Sequence, residues 1–153
     1  MAGEGAFSVR EFAVTDLAVT LELSEHSARA YVAQAVELRD RLPRLWGQVM
    51  SERLPVWKAR RIAEQTIQLK AVTATVVDDQ LAEFAHRLSL TRITRCVEAA
   101  IIRFEPDLAE KKAQAAAEHR GVWLEADTLE GLTSINATLD SPDAHAFDRA
   151  LDE

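Results

Sequence analysis

DLAVTLELSEHSARAYVAQAVELRDRL, residues Asp16–Leu42, is the stretch on which the reading of this chain turns. Apolar side chains at helical spacing open it, Glu22–Ser24 interrupt them, and a longer helical pattern runs on to Leu42. Ser24 suits the N-cap of that longer helix, because its hydroxyl can accept from the amide of Ser27. Ala18, Leu21, Leu23, Ala28 and Val32 fall where two helices joined by a tight turn bury their inward side chains. The expectation over 16–42 is a short helix, a turn, and a longer helix that presents Glu25, His26, Ser27 and Arg29 at its start.

This frame resembles a helix-turn-helix of the "LA…L.VS..T" kind, in which the start of the second helix reads base edges. One departure stands out: Glu22 occupies the turn position usually held by Gly, the residue that tolerates φ > 0. On this reading the DNA-contacting set is Ser24, His26, Ser27 and Arg29, with Lys58, Arg60 and Arg61 taking phosphate. Two antiparallel helices with a short connection give a similar pattern without binding DNA, and that alternative stays open. Charge favours the alternative within 16–42, where five acids face three Arg, since attraction to phosphate supplies non-specific affinity.

Outward from this unit, 153 residues suffice for one domain with a proper core. The net charge of −7 is uneven: residues 121–153 hold eight acids and one Arg, so the other 120 sum to zero. Residues 43–70 carry six basic groups against two acids, a local +4 and the best electrostatic candidate for a polyanion, although a solvated helix face would look the same. Cys96 is alone, which excludes an internal disulfide and suits a buried, inert thiol in a reducing compartment. No run approaches a membrane span, and the N-terminus lacks the basic and apolar regions of a signal peptide. The expected location is therefore cytoplasmic, with no membrane partner.

In chain order, Ser8 with Glu11 reads as a capping box opening a helix with Val9, Phe12, Ala13, Leu17 and Leu21 on one face. Pro43 ends the helix from Glu25 or starts the next element, and Arg44–Glu52 offers Leu45, Trp46, Val49 and Met50 to the core. Pro55 suits the first turn of a helix to about Leu69, with Val56, Ala59, Ile62, Ala63 and Thr66 inward, Lys58 and Arg61 outward, and Trp57 as a packing residue. Ala74–Leu88 reads as a long helix whose Asp78, Asp79 and Glu83 face solvent, and Thr91 as the cap of the next, striped by Ile93, Val97, Ala100, Ile101 and Phe104. Pro106 starts an Ala-rich helix to Arg120. Period two through Val122, Leu124 and Ala126, a turn at Thr128–Gly131, and period two again through Ile135, Ala137 and Leu139 predict a β-hairpin. Ser141-Pro142-Asp143 opens a final helix, Ala144–Glu153, which stops in mid-pattern as a truncated element, so the natural chain is expected to continue. The fold class expected is mainly α, a multi-helix domain containing the helix-turn-helix-like unit and a short C-terminal β-hairpin. Residues 1–120 form the helical part, and 121–153 the hairpin and final helix of the same domain.

Catalytic chemistry is missing from the pattern. His26, His86, His119 and His145 lie on different expected elements, and none pairs with Cys96 at zinc spacing. There is no Gly-rich phosphate loop, HExxH or nucleophile elbow. The expectation is a non-enzyme with no catalytic residue, metal or cofactor.

Three runs, ELSEHSARAYV, LRDRLPRLWGQVMSERLPVWKARRIAEQT and LTRITRCVEAAIIRFEPDLAEKKAQAAAEHRGVWLEADTLEGLTSINATLD, follow one another in the order of a known family. The chain resembles the actinobacterial domain of unknown function 222 family, also called the HNH endonuclease-associated repeat family, from about Leu17 onward. The most specific matches are the Leu42-Pro43 junction, the Ala59–Ala63 helix and the Arg120-Gly121-Val122-Trp123 hairpin entry. Relatives tend to carry Asp-Gly at the hairpin turn, where this chain has Leu129-Glu130-Gly131. The resemblance implies a helical domain that precedes an HNH nuclease module, and nothing in residues 1–153 matches that module, so no nuclease residue is carried over. Two functions follow as expectations: a non-catalytic domain that binds or positions double-stranded DNA for an HNH module on a longer chain, or a helical protein-interaction module that forms a homodimer.

Overall fold

In a computed structural model, which describes residues 2–125 and 131–151 and omits the Glu11 side chain, the chain forms two compact units, Met1–Pro106 and Asp107–Glu153. The described residues hold eight helices and one two-stranded sheet, the mainly α class expected. The first unit contains α1 (Glu11–Thr20), α2 (Glu25–Arg41), α3 (Pro43–Met50), α4 (Val56–Thr66), α5 (Ala71–Leu81) and α6 (Leu90–Phe104). The second contains α7 (Pro106–Glu118, its first residue closing the first unit), β1 (Gly121–Leu124), β2 (Ile135–Thr138) and α8 (Ser141–Leu151).

Helix α2 is the hub of the first unit, packing on α1, α3, α4 and α5, while α6 closes over α4 and α5. The buried core runs through Leu38, Leu42, Leu45, Leu54, Ile62, Leu69, Val77, Leu81, Ile93 and Val97. A smaller cluster of Val14, Ala18 and Ala28, flanked by Val9 and Val32, joins α1 to α2. Ala18 is buried as expected, but the rest of the α1 face is turned from the expected one: Phe12 is 84% exposed, and Val14 points inward instead. Leu21, Leu23, Met50, Val56, Trp57 and Phe104 are also more exposed than the sequence pattern suggested, and Cys96 is half-buried.

The ends of three helices, α1, α5 and α6, differ from expectation. Helix α1 begins at Glu11 with Arg10 at its cap position, not at Ser8, because the preceding segment is drawn across α2 by the Phe7 amide donating to Asp40 Oδ2 at 2.9 Å. That carboxyl sits below the ordinary carboxylate range, held there first by its hydrogen bond from Arg39 and then by the Phe7 amide. Helix α5 starts earlier and stops at Leu81, and turns carry the chain through 82–87. Ser89, not Thr91, caps α6, its hydroxyl accepting from the Arg92 amide at 3.4 Å.

Four charged side chains inside the first unit cap helix ends far away in sequence. Asp78, 2% exposed, accepts from the amides of Arg44 and Leu45 at 2.9 Å each, at the start of α3. Burial pushes its carboxyl above the ordinary value, against the pull of the two amides. Glu105 accepts from the Lys70 amide at the start of α5, 2.8 Å away. Arg41 donates to the carbonyl of Thr66, the last residue of α4, and to that of Leu69 beyond it. Lys58 donates to the carbonyls of Ala85, His86 and Leu88 after α5. Anions sit on helix starts and cations on ends, as the helix dipole favours. Asp78 and Lys58 thus lie inside, where the sequence reading had them on the solvent side.

Arg41 also pairs with fully buried Glu37, Nη1 lying 2.8 Å from Oε1. Glu37 accepts in addition from Thr66 Oγ1 and from the Gly3 amide, both at 2.9 Å. A Cβ on Gly3 would fall 1.5 Å from Arg41 Nη1, so only glycine lets the backbone come this close.

In the second unit β1 and β2 pair antiparallel, Gly121 opposite Thr138 and Leu124 opposite Ile135. The Trp123 ring covers Gly121, where an added Cβ would meet it at 2.9 Å. Asp140 opens α8, its Oδ1 accepting from the Asp143 amide at 3.1 Å. No described residue of α7, the strands or α8 is buried. The expected hairpin turn at Thr128–Gly131 lies, apart from Gly131, outside the described residues.

Candidate nucleic-acid interface

The turn between α1 and α2 has the backbone the motif requires. Glu22 adopts φ 54°, the left-handed conformation for which Gly is the usual residue. Ser24 caps α2 as expected: its Oγ accepts from the Ser27 amide at 3.2 Å and donates to Ser27 Oγ at 2.8 Å. The Ser24 hydroxyl is therefore engaged in holding the helix start. His26, Ser27 and Arg29 are all exposed. Arg29 Nη2 lies 2.6 Å from Glu25 Oε1, an i,i+4 pair exposed on both sides.

The three cations expected from α4 part company. Lys58 is 9% exposed, with its ammonium on the three carbonyls after α5. Arg60, two residues on and so roughly 200° around the helix, turns to α2. Its guanidinium stacks 4.0 Å from the Tyr31 ring centroid, and its Nε donates to Gln34 Oε1 at 2.7 Å. Tyr31 lies one turn beyond Ser27, so Arg60 lies on the row of α2 that begins at Ser27. Arg61 is exposed and pairs with Glu64 at 2.9 Å. Of the residues singled out, Ser24, His26, Ser27 and Arg29 lie at the start of α2, Arg60 joins the Ser27 row through Tyr31 and Gln34, and Arg29, two residues from Ser27, lies roughly 200° around the helix from that row; Arg61 is exposed on α4, and Lys58 is internal.

A family model for the domain of unknown function DUF222 matches residues 4–153. The chain belongs to that family. Neither curated proteins nor solved structures give a match.

In this DUF222 domain, Tyr31 and Gln34 are the site residues that sequence reasoning passed over. Their spacing from Ser27, four and seven residues, was the available signal; what it lacked was the knowledge that α4 crosses α2 there. The Glu25–Arg29 pair was legible from the same spacing. Chemically, the start of α2 offers the Ser27 hydroxyl and the His26 imidazole, with the Arg60 guanidinium held by an aromatic ring and an amide on the Ser27 row and the Arg29 guanidinium across the helix from it. Such groups donate to phosphate oxygens and base edges. Among the described residues, no three His, Cys, Asp or Glu side chains converge as metal ligands would, and no helix is long and apolar enough to cross a membrane.

Proposed function

We propose that the first unit is a non-catalytic domain that binds or positions double-stranded DNA on behalf of an adjoining HNH nuclease module. His26 and Ser27 face the bases, Arg29 reaches backbone from the other side of α2, and Arg60 and Arg61 take phosphate on theirs. The observation that carries this reading is the α1–turn–α2 geometry, with Glu22 in the left-handed region and the first turns of α2 exposed. The resemblance to the HNH endonuclease-associated family supports the nuclease link. Because Lys58 is engaged internally, few cations remain for phosphate, and the salt dependence should be shallow. Each neutralised phosphate contributes about −0.9 to the slope of log K against log salt, so two or three contacts give a slope between about −2 and −3. Fluorescence anisotropy on a labelled duplex across a salt series measures it, and Arg60→Gln should reduce the slope by about one. Absence of salt-dependent binding removes the reading.

A second reading, a helical dimerisation or docking module, is favoured by the exposed Phe12 and Val19 on the outer side of α1, 84% and 75% accessible. Light scattering separates the two: a concentration-dependent dimer abolished by Phe12→Ser with no DNA binding supports the second.

A further inference from the structure

Arg60 differs from the ion-paired arginines of the first unit in what holds it. Arg29, Arg39, Arg41, Arg44 and Arg61 each lie on a carboxylate, which offsets the charge it positions. Arg60 is held by two neutral groups. The Tyr31 ring lies under its guanidinium at 4.0 Å, and the Gln34 amide oxygen accepts from its Nε at 2.7 Å. Gln34 is 9% exposed and Tyr31 half-buried, so the packing of α2 fixes both supports, while Arg60 itself stays half-exposed. Glu64, one turn further along α4, is taken by Arg61 at 2.9 Å. A guanidinium carries five N–H donors in a planar fork. Gln34 uses the one on Nε, and among the described residues neither Nη has a hydrogen-bond partner. The cation is oriented, yet it keeps its charge and the edge formed by its two Nη nitrogens.

We propose that Tyr31 and Gln34 are positioning residues that preset Arg60 as an end-on fork for one phosphate group, each Nη donating to a phosphate oxygen. The inference rests on the DNA-binding reading for the source of that group, a backbone phosphodiester; the same fork would accept inorganic phosphate. Two Nη donors spaced on a rigid plane match two oxygens of one phosphate, which a lysine ammonium does not. An arginine loose in solvent must give up rotamer freedom when it binds, and the stack with the Nε bond removes much of that cost beforehand. The neutrality of the supports is the second half of the device. A carboxylate in place of the Gln34 amide would orient the guanidinium equally well but cancel the charge that draws phosphate.

Anisotropy on a short labelled duplex across a salt series, with NMR of the Arg60 Nε–H resonance on the whole chain, tests the assignment. Gln34→Glu should lower the salt slope by about one, as loss of the cation itself would. Tyr31→Leu should weaken duplex binding about three- to fivefold at unchanged slope, and Tyr31→Phe, which keeps the ring, should restore it. Arg60→Lys keeps the charge and loses the fork, so binding should fall about tenfold at the wild-type slope. Urea midpoints establish that each variant is folded; if Gln34→Glu is not, the Tyr31 pair and Arg60→Lys decide. A wild-type slope in folded Gln34→Glu, equal losses in Tyr31→Leu and Tyr31→Phe, or full affinity in Arg60→Lys overturns the positioning role and leaves DNA binding standing. A chain that ignores the duplex but shows a saturable shift of the Arg60 Nε–H with inorganic phosphate keeps the fork and removes the DNA reading. If neither probe moves that resonance, the fork is overturned.

Discussion

Arg41–Glu37 in the first unit and Arg120–Asp140 in the second are both guanidinium–carboxylate pairs, 2.8 and 3.0 Å long. Their surroundings differ completely. The first pair is 4% and 0% exposed, with Glu37 also bound by Thr66 and Gly3. The second is 50% and 44% exposed. The same contrast runs through the two units. In the first, charges enter the interior as caps on distant helix ends; in the second, no described helix or strand residue is buried at all. A charge taken out of water must find every partner inside, so its loss leaves a cost that its formation does not reveal. An exposed charge keeps water as an alternative partner. The charge pattern of a chain therefore says little about stability until burial is known.

The largest expected effect comes from breaking the buried pair. Glu37→Ala leaves Arg41 charged in the interior and should lower unfolding free energy by about 3–5 kcal/mol. Replacing both residues, as Glu37→Leu with Arg41→Met, should cost distinctly less, because no unpaired charge remains. Urea unfolding of the three proteins tests this, and equal losses for single and double variants would mean the pair is not the relevant unit. Next comes Asp78→Ala, which strips the acceptor from two amides at the start of α3 and should cost about 2 kcal/mol. The sign of the pH effect follows from the raised folded pKa. The folded state holds the proton longer than the unfolded state, so stability falls as pH rises from the ordinary carboxylate value through the raised one. Asp78→Asn should remove that slope, which urea midpoints measured across the acidic range would show.

These two residues also mark where sequence reading stopped. Signals that act within a few residues were legible: the Ser24 cap, the unusual Glu22 turn, Pro43 and Pro106 at helix starts, and period two through Val122–Leu124 and Ile135–Ala137. Asp78 reads as a solvated acid because the amides it serves lie 33 and 34 residues away. Lys58 reads as a surface cation because Leu88 lies 30 residues on. Helical period places a side chain on a face, but only the crossing of helices decides whether that face meets solvent or another helix end. The candidate interface follows the same division. The exposure of His26, Ser27 and Arg29 comes from a local motif, whereas the placement of Arg60 on Tyr31 and Gln34 depends on how α4 lies against α2. Ser89 and Thr91 show a finer limit: two hydroxyls stood near one helix start, and their spacing did not rank them.

The smallest expected effect lies in the second unit, and it separates two roles of one carboxylate. Asp140 pairs with Arg120 and also caps α8 through the Asp143 amide. Arg120→Gln removes the exposed pair alone, and such pairs contribute from nothing to roughly 0.5 kcal/mol after screening by water and salt. Asp140→Ala removes the cap as well and should cost about 1 kcal/mol of helix stability. Added salt should leave the Asp140→Ala deficit nearly unchanged, because a cap is a short hydrogen bond, while erasing whatever Arg120→Gln shows. Amide hydrogen exchange at Asp143 and Ala144 reads the helix start directly. If Arg120→Gln instead matched the several kcal/mol expected for Glu37→Ala, the second pair would be as shielded as the first, and burial would not be what distinguishes the two units.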